Sequence, residues 1–442
     1  MSSPRLCITV AGPDMTALRR QRDDASAQGA DLVELRLDLV GDPDVAGALE
    51  GRRTPVIVTC RAQWEGGGFK GSEAERLAIL QAALAQGADY VDVEYKAGFD
   101  ALIHSTRGKR IVVSMHDFDG VPGDLPARVR AMRSTGAEIV KVAVMTRSLF
   151  DNLSLLDLRD AASRSVFVGM GPCGLPTRLL PAHFGSQWSY AGDGHAPGQV
   201  PAERMLKEFR FREITDRTAL YGIAGYPLAH SISPAMHNAA FCAAGVDAVY
   251  VPMPAASADD FLEFAKALHV RGASVTIPYK VDLFKRVDAA DQVSTQVGAV
   301  NTLKRHQTKW LGRNTDVSGF LAPLRGRLQL RGMRAAVLGA GGAARAVAVA
   351  LFTSGAEVSV YARNSDRAAE VLRLVNRKPT GLALPPPKSW DLIVNATPLG
   401  TFPDVERSPF PAGAFDGKMA YDLVYNPQET RFLKDEIGRA HV

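Results

Sequence analysis

Residues 138–145, EIVKVAVM, place one lysine inside an apolar, β-branched run. Strand side chains alternate between faces, so Lys141 shares its face with Ala143 and Met145, and the small alanine leaves room beside the amine. On this segment alone, an edge-strand lysine pointing to solvent stays open as the alternative. If the face is interior, desolvation disfavours an ammonium and leaves an amine able to attack a ketone and form a Schiff base. The iminium is an electron sink that acidifies the neighbouring C–H, so a base must stand nearby. His116, in SMHDF, has the residue type and the place for that work. Glu65, four residues after Arg61 in TCRAQWEGGG, is a candidate to orient the imidazole, with a merely solvated loop carboxylate as the plainer alternative.

Such groups need elements that end at one level. Through about residue 212 the chain repeats a short apolar strand, a turn and an amphipathic stretch. Eight strand candidates follow: LCITVAG, DLVELRLD, TPVIVTCR, DYVDVEY, RIVVSMHD, EIVKVAVM, SVFVGMG and QWSYAG. Between them lie segments such as SEAERLAILQAALAQGA that end in Gly-Ala. Eight βα units predict a (β/α)₈ TIM barrel, an α/β fold whose chemistry sits at the C-terminal mouths of its strands. Glu34, Arg36, Arg61, Glu94, His116 and Lys141 all fall at that level.

At 442 residues the chain exceeds one ordinary core, and roughly 100 to 200 residues per domain predicts two to four. It is 46% apolar and 22% charged, with no apolar run near the ~20 residues of a membrane span, which argues against a helical membrane protein. MSSPRLCITVAG shows no signal-peptide pattern, and the expectation is a cytoplasmic protein. Cys7, Cys60, Cys173 and Cys242 are isolated, so neither a disulfide framework nor a metal site is expected. A net charge of +5, with LRGRLQLRGMR as the densest basic stretch, reads as a solvated surface rather than a nucleic-acid site, and small anionic substrates need only local charge.

The series ELRLD, TCRAQWEGG, VDVE, SMHDF, IVKVAVM and HAPGQ resembles type I 3-dehydroquinate dehydratase across residues 5–212. The resemblance implies Lys141 as the Schiff-base lysine, His116 as the proton-transfer residue and Glu65 as its partner. It also implies that Glu34, Arg36, Arg61, Arg178 and Gln199 hold the substrate's hydroxyls and carboxylate, Arg178 as a bidentate fork. Two positions depart from the family pattern. Met115 precedes the histidine, and alternation should turn it from the mouth; His195 stands where a Ser or Thr usually precedes APGQ.

EFRFREITDR reads as a linker or closing helix, after which the rhythm changes. GAGGAA at 339–344 follows the strand RAAVL and fits a dinucleotide-binding turn, with Gly339, Gly341, Gly342 and Ala343 allowing a pyrophosphate close to a helix N-terminus. Some twenty residues on, VSVYARNSD offers Arg363 in place of an acid, which favours NADP over NAD because a cation pairs the 2′-phosphate. In HSISPAMHNAAF, Ser233 before Pro234 reads as an N-cap, which sets Ser231 and Ser233 at a helix start suited to a carboxylate, with simple capping as the alternative. His230 and His237 beside it read as structural.

With VTIPYK, GAVNT and GRNTD in that order, residues 218–433 resemble shikimate dehydrogenase. The resemblance implies Lys280 and Asp316 as the catalytic pair, Thr276 and Asn301 on substrate, and NATPLG, with Asn395 and Thr397, near the nicotinamide. The family continues past YDLVYNPQETRFL into helices bearing a substrate-contacting glutamine, whereas this sequence runs only to KDEIGRAHV, and weaker substrate binding or stability of this half is the expectation.

The expected organisation is a dehydratase barrel over 1–212, a substrate-binding domain over 218–325 and a Rossmann NADP-binding domain over 326–442. Its partners are 3-dehydroquinate, 3-dehydroshikimate and shikimate. Two other readings stand beside this one: a regulatory pseudoenzyme sensing pathway intermediates, and an aldolase-like barrel joined to a quinate dehydrogenase. Retention of Lys141 and His116 speaks against the first, and Ser231, Ser233 and Arg363 lean against the second.

Overall fold

The structure, a computed structural model, describes residues 4–194, 196–229 and 231–437. Eight strands form the first sheet: β1 (Arg5–Val10), β2 (Leu32–Arg36), β3 (Val56–Thr59), β4 (Tyr90–Glu94), β5 (Ile111–Asp117), β6 (Ile139–Met145), β7 (Ser165–Met170) and β8 (Trp188–Ala191). Every expected strand is present. All pairings are parallel, in the order β7-β6-β5-β4-β3-β2-β1-β8. A parallel bridge between Ser165 and Ser186, together with the Phe167 N–H donated to Ser186 Oγ at 2.9 Å, nearly closes the barrel just before β8.

Period-two alternation sorts the interior into layers. Cys7, Leu32, Ile57, Val112 and Ile139 fill an apolar floor with Tyr90 packed against it. Two residues further along the same six strands stand Thr9, Glu34, Thr59, Asp92, Ser114 and Lys141, every one of them buried. Trp188, Tyr190, Val166 and Val168 supply the apolar walls. A polar layer laid on an apolar floor follows from strand sequence alone.

The charged segment after β8 serves as a closing element. The helix Ala202–Lys207 precedes buried Phe209, Phe211 and Ile214, and Arg212 reaches back to Asp31 at 3.1 Å.

Beyond it come β9 (Ala219–Gly225), β10 (Ala248–Pro254), β11 (Gly272–Val275), β12 (Ala289–Ala290), β13 (Thr302–His306) and β14 (Lys309–Arg313), in the sheet order β10-β9-β11-β13-β14-β12. The last sheet is parallel, β16-β15-β17-β18, from β15 (Arg334–Leu338), β16 (Glu357–Tyr361), β17 (Leu392–Asn395) and β18 (Met419–Asp422). Ala344, Val347 and Leu351 of the helix Gly342–Thr353 share one core with Val337 and Val394, the two-sided burial that a parallel sheet requires.

The chain divides into two compact units, residues 1–223 with 231–270, and 224–230 with 271–442. Within the first, β10 packs against the helix Leu175–Leu179. There too Asp260 accepts the N–H groups of Leu149 at 3.0 Å and Phe150 at 2.7 Å, just past the end of β6.

Candidate active site

Lys141, 5% exposed, points into the polar layer. Its Nζ donates to Asp92 Oδ2 at 3.0 Å and to Glu34 Oε1 at 3.2 Å, and lies 4.4 Å from the Tyr190 ring centre. The surroundings are therefore less apolar than the strand pattern suggested, because two carboxylates share the buried charge. Despite burial, Lys141 lowers the Glu34 carboxyl, and Arg61 and Lys141 hold Asp92 far below its usual range. Glu34 also accepts from Thr9 and Thr59, each at 3.0 Å, and Gln199 Nε2 donates to the Thr9 hydroxyl at 3.4 Å.

Arg61 spans the same layer. It contacts Asp92 at 3.0 Å and Glu94 at 3.1 Å, and donates to Ser114 Oγ at 2.8 Å. Glu94 is shared with Arg76, delivered by the helix Glu73–Ala85, which a reciprocal Ser72–Glu75 capping box starts. Arg36 pairs through Nε and Nη2 with Asp38 at 2.8 and 2.6 Å, and Asp38 also accepts Gly68 N–H at 2.9 Å. This ties Arg36 to the loop that carries Glu65.

His116 Nδ1 lies 2.9 Å from Glu65 Oε1, which also accepts the His116 backbone N–H at 2.9 Å. Burial, then the charges of Arg61 and Lys141, hold the imidazole well below its ordinary range, which favours its neutral form. Burial pushes Glu65 up to about 7, with Glu94 and Asp92 adding to the rise against Arg61. Arg178, on the helix Leu175–Leu179, is buried, donates from Nη2 to Pro197 O at 3.0 Å, and has an Nε without a protein acceptor. Burial brings it down to about 10. A buried guanidinium with no carboxylate among its contacts in the described residues suits an incoming anion. Met115 is buried on the opposite face of β5 from His116, as expected, and His195 lies outside the described residues.

In the second unit, Lys280 Nζ donates to Asp316 Oδ2 at 2.6 Å. Asn301 Nδ2 donates to Asp316 Oδ1 at 2.7 Å and to Thr315 Oγ1 at 2.8 Å, so three of the expected residues meet. Thr276 lies half-buried just past β11. The glycine turn fits a dinucleotide. Gly339 has φ +114° and a Cβ there would lie 2.9 Å from Ala396 O, while a Cβ on Gly341 would meet nothing within 4 Å. Ala343 follows in the first turn of the helix Gly342–Thr353, whose start lies so close to Lys280 that a Cβ on Gly342 would come within 2.6 Å of the lysine Cβ. Arg363 is exposed two residues past β16. Asn395 is consumed in shaping its own turn: it donates to Asp422 at 2.9 Å and accepts from Thr397 N–H at 2.9 Å and Thr397 Oγ1 at 2.7 Å.

In the first unit, Ser233 proves to be the first residue of the helix Ser233–Ala243 rather than its N-cap. Ile232 takes the cap position with helical angles, and Ser231 Oγ accepts the Ser233 N–H at 3.3 Å. Pro234 at the second helical position still sacrifices no intrahelical bond, so the start moves by one residue at no cost. His237 stacks on Tyr250 at 4.3 Å, and His230 lies outside the described residues.

Comparison with known proteins bears on both halves. The family model described as type I 3-dehydroquinase matches residues 6–216, and the shikimate dehydrogenase substrate binding domain matches residues 223–303. The bifunctional 3-dehydroquinate dehydratase/shikimate dehydrogenase of Arabidopsis thaliana, a chloroplastic protein, is 31% identical over 97% of this chain and 77% of its own. The chain belongs to the bifunctional 3-dehydroquinate dehydratase/shikimate dehydrogenase family. The NADP(+) shikimate dehydrogenase of Moorella thermoacetica is 42% identical, covering 50% of this chain and 80% of its own. The crystal structure of the Aquifex aeolicus shikimate dehydrogenase is similar at 32% identity and a TM-score of 0.46, covering 51% of this chain and 85% of that one.

In this bifunctional family member, sequence reasoning missed Asp92, Ser114, Thr9, Thr59, Asp38 and Arg76 around the barrel residues. The signal for Asp92 was present in DYVDVEY, where Tyr90, Asp92 and Glu94 fall on one face. Arg76 had no such signal, because its reach across to Glu94 depends on helix placement.

Proposed function

We propose that the chain dehydrates 3-dehydroquinate to 3-dehydroshikimate through a Schiff base on Lys141, and reduces that product to shikimate with NADPH. The observation that carries it is Lys141, an inward lysine in a polar layer of a barrel that also presents a neutral His116 held by Glu65. Amine attack on the ketone and loss of water give the iminium. Neutral His116 then takes the α-proton, and the imidazolium returns it to the departing hydroxyl as water. Arg178 holds the substrate carboxylate, Glu34 and Gln199 its hydroxyls, and Arg36 and Arg61 supply positive charge at the mouth.

In the dehydrogenase half, NADPH supplies a hydride when bound, held by the turn of Gly339, Gly341, Gly342 and Ala343, by Arg363 at its 2′-phosphate and by the loop of Asn395 and Thr397. Lys280 donates a proton to the developing alkoxide, with Asp316 and Asn301 holding its ammonium in place. Ser231 and Ser233 take the substrate carboxylate, and Thr276 and Asn301 its hydroxyls. The division of labour is residues 1–212, 218–325 and 326–442, and the free, buried thiols of Cys7, Cys60 and Cys173 suit a reducing compartment such as the cytoplasm.

The test is dehydroquinate with borohydride, followed by peptide mapping. A substrate-sized adduct on Lys141 is expected, and bound dehydroquinate without an adduct would refute the Schiff-base route.

A further inference from the structure

Lys141 has two carboxylate neighbours, and the chemistry leaves room for only one. An ammonium carries three N–H groups and can donate to both Asp92 and Glu34. Joining it to a ketone follows R₂C=O + Lys–NH₃⁺ → R₂C=NH⁺–Lys + H₂O: one C=N bond forms, the C=O bond breaks, two nitrogen protons leave in the water, and the positive charge is conserved. The iminium retains a single N–H. One carboxylate must therefore lose its hydrogen bond from Nζ when the substrate is attached.

Each acid's other contacts decide which. Asp92 Oδ1 is occupied by Arg61 at 3.0 Å and by the Ser114 hydroxyl at 2.5 Å, while its Oδ2 turns to Lys141 at 3.0 Å. Ser114 itself is fixed, accepting from Arg61 Nη1 at 2.8 Å while it donates to Asp92. Glu34 divides its Oε1 between Thr59 at 3.0 Å and Lys141 at 3.2 Å, and its Oε2 leads through Thr9 toward Gln199. Asp92 and Ser114 are fully buried, whereas Glu34 and Lys141 each keep 5% exposure on the side open to substrate.

We infer that Asp92 is the counter-ion of the iminium, a further catalytic residue that keeps its contact with Nζ through the reaction, while Glu34 is released from Nζ to the substrate. This rests on the Schiff-base reading of Lys141. The nitrogen passes between cationic iminium and neutral enamine as the α-proton leaves, and a fixed anion beside it stabilises each cationic state without reorganising.

Asp92→Asn preserves shape but removes the charge facing Nζ. Its kcat for dehydration is expected to fall by about 100-fold or more, with KM for dehydroquinate little changed and the borohydride-trapped adduct forming correspondingly slowly. Glu34→Gln should show the opposite split, a raised KM with the larger share of kcat retained. NADP-linked activity and circular dichroism check that Asp92→Asn is folded. Should it not fold, Ser114→Ala, which loosens Asp92 Oδ1 and also removes one acceptor of Arg61, is expected to cost about tenfold in kcat, a larger effect than on KM. A kcat near that of the parent, or a loss confined to KM, in the folded variant overturns the assignment. Absence of any Lys141 adduct in the parent enzyme would instead overturn the Schiff-base reading, and the inference with it.

Discussion

His116 and Glu65 divide one proton in the sense opposite to free imidazole and carboxylate. From their ordinary values of 6.5 and 4.5, the unfolded chain between those two pH values carries a protonated His116 and an ionised Glu65. The fold reverses both, since the imidazole is depressed and the carboxyl stays protonated to about 7. The unfolded state binds the extra proton on His116 and the folded state binds it on Glu65, so the pair adds no net slope of stability with pH in that window. Glu65→Gln removes the compensating uptake and leaves the unfolded state with the excess proton. Stability of the variant is then expected to fall as pH drops below about 6.5, with a limiting slope near 1.4 kcal/mol per pH unit. Thermal melts at pH 5 and 6.5 measure it, and equal pH dependence in variant and parent would place the shared proton on the imidazole. Lys141, His116 and Glu65 were legible because each is an unusual residue in an otherwise regular pattern. Asp92 was hidden by sitting beside Glu94 in a strand that already looked explained.

Strands were read from sequence with little error because each of the eight is a short, largely apolar run bounded by turns and buried on both faces. Helix starts were less legible. Ser233 looked like a cap from residue type, but the helix begins at Ser233 itself and leaves the cap position to Ile232, whose backbone is already helical and whose side chain cannot cap. The glycine turn shows what spacing does and does not convey. G-x-G-x-x-A announced a tight turn and an approaching phosphate, yet not that Gly342 stands against Lys280. A methyl group there meets the root of the lysine side chain rather than its flexible end, so the helix Gly342–Thr353 or the lysine must shift. Gly342→Ala is expected to lower kcat of shikimate oxidation by roughly 10- to 100-fold, because small misplacements of a proton donor are costly. Dehydration by the same variant should be unaffected, and equal loss of both activities would point to general instability instead.

At the scale of the whole chain, two chemistries are laid in sequence, and their lysines belong to different compact units. Lys141→Ala is expected to abolish dehydration while leaving NADP-linked turnover intact, and Lys280→Ala to do the reverse. Separate assays with dehydroquinate and with shikimate decide this, and joint loss from either change would contradict independent catalysis. The change of rhythm after residue 212 announced two functions. It did not announce that residues 231–270 pack with the barrel, because that grouping depends on long-range contacts such as β10 on the helix Leu175–Leu179.

That packing matters to anyone who would reuse the dehydratase as a separable part. Asp260 takes the backbone amides that follow the Lys141 strand, and β10 backs the short helix bearing Arg178. A gene cut after residue 216 would yield a barrel in which the Lys141 strand and the Arg178 helix have both lost an outside support. Such a fragment should melt below the intact chain and bind dehydroquinate more weakly, so that transplanting this catalyst into another host means carrying residues 248–260 along with it.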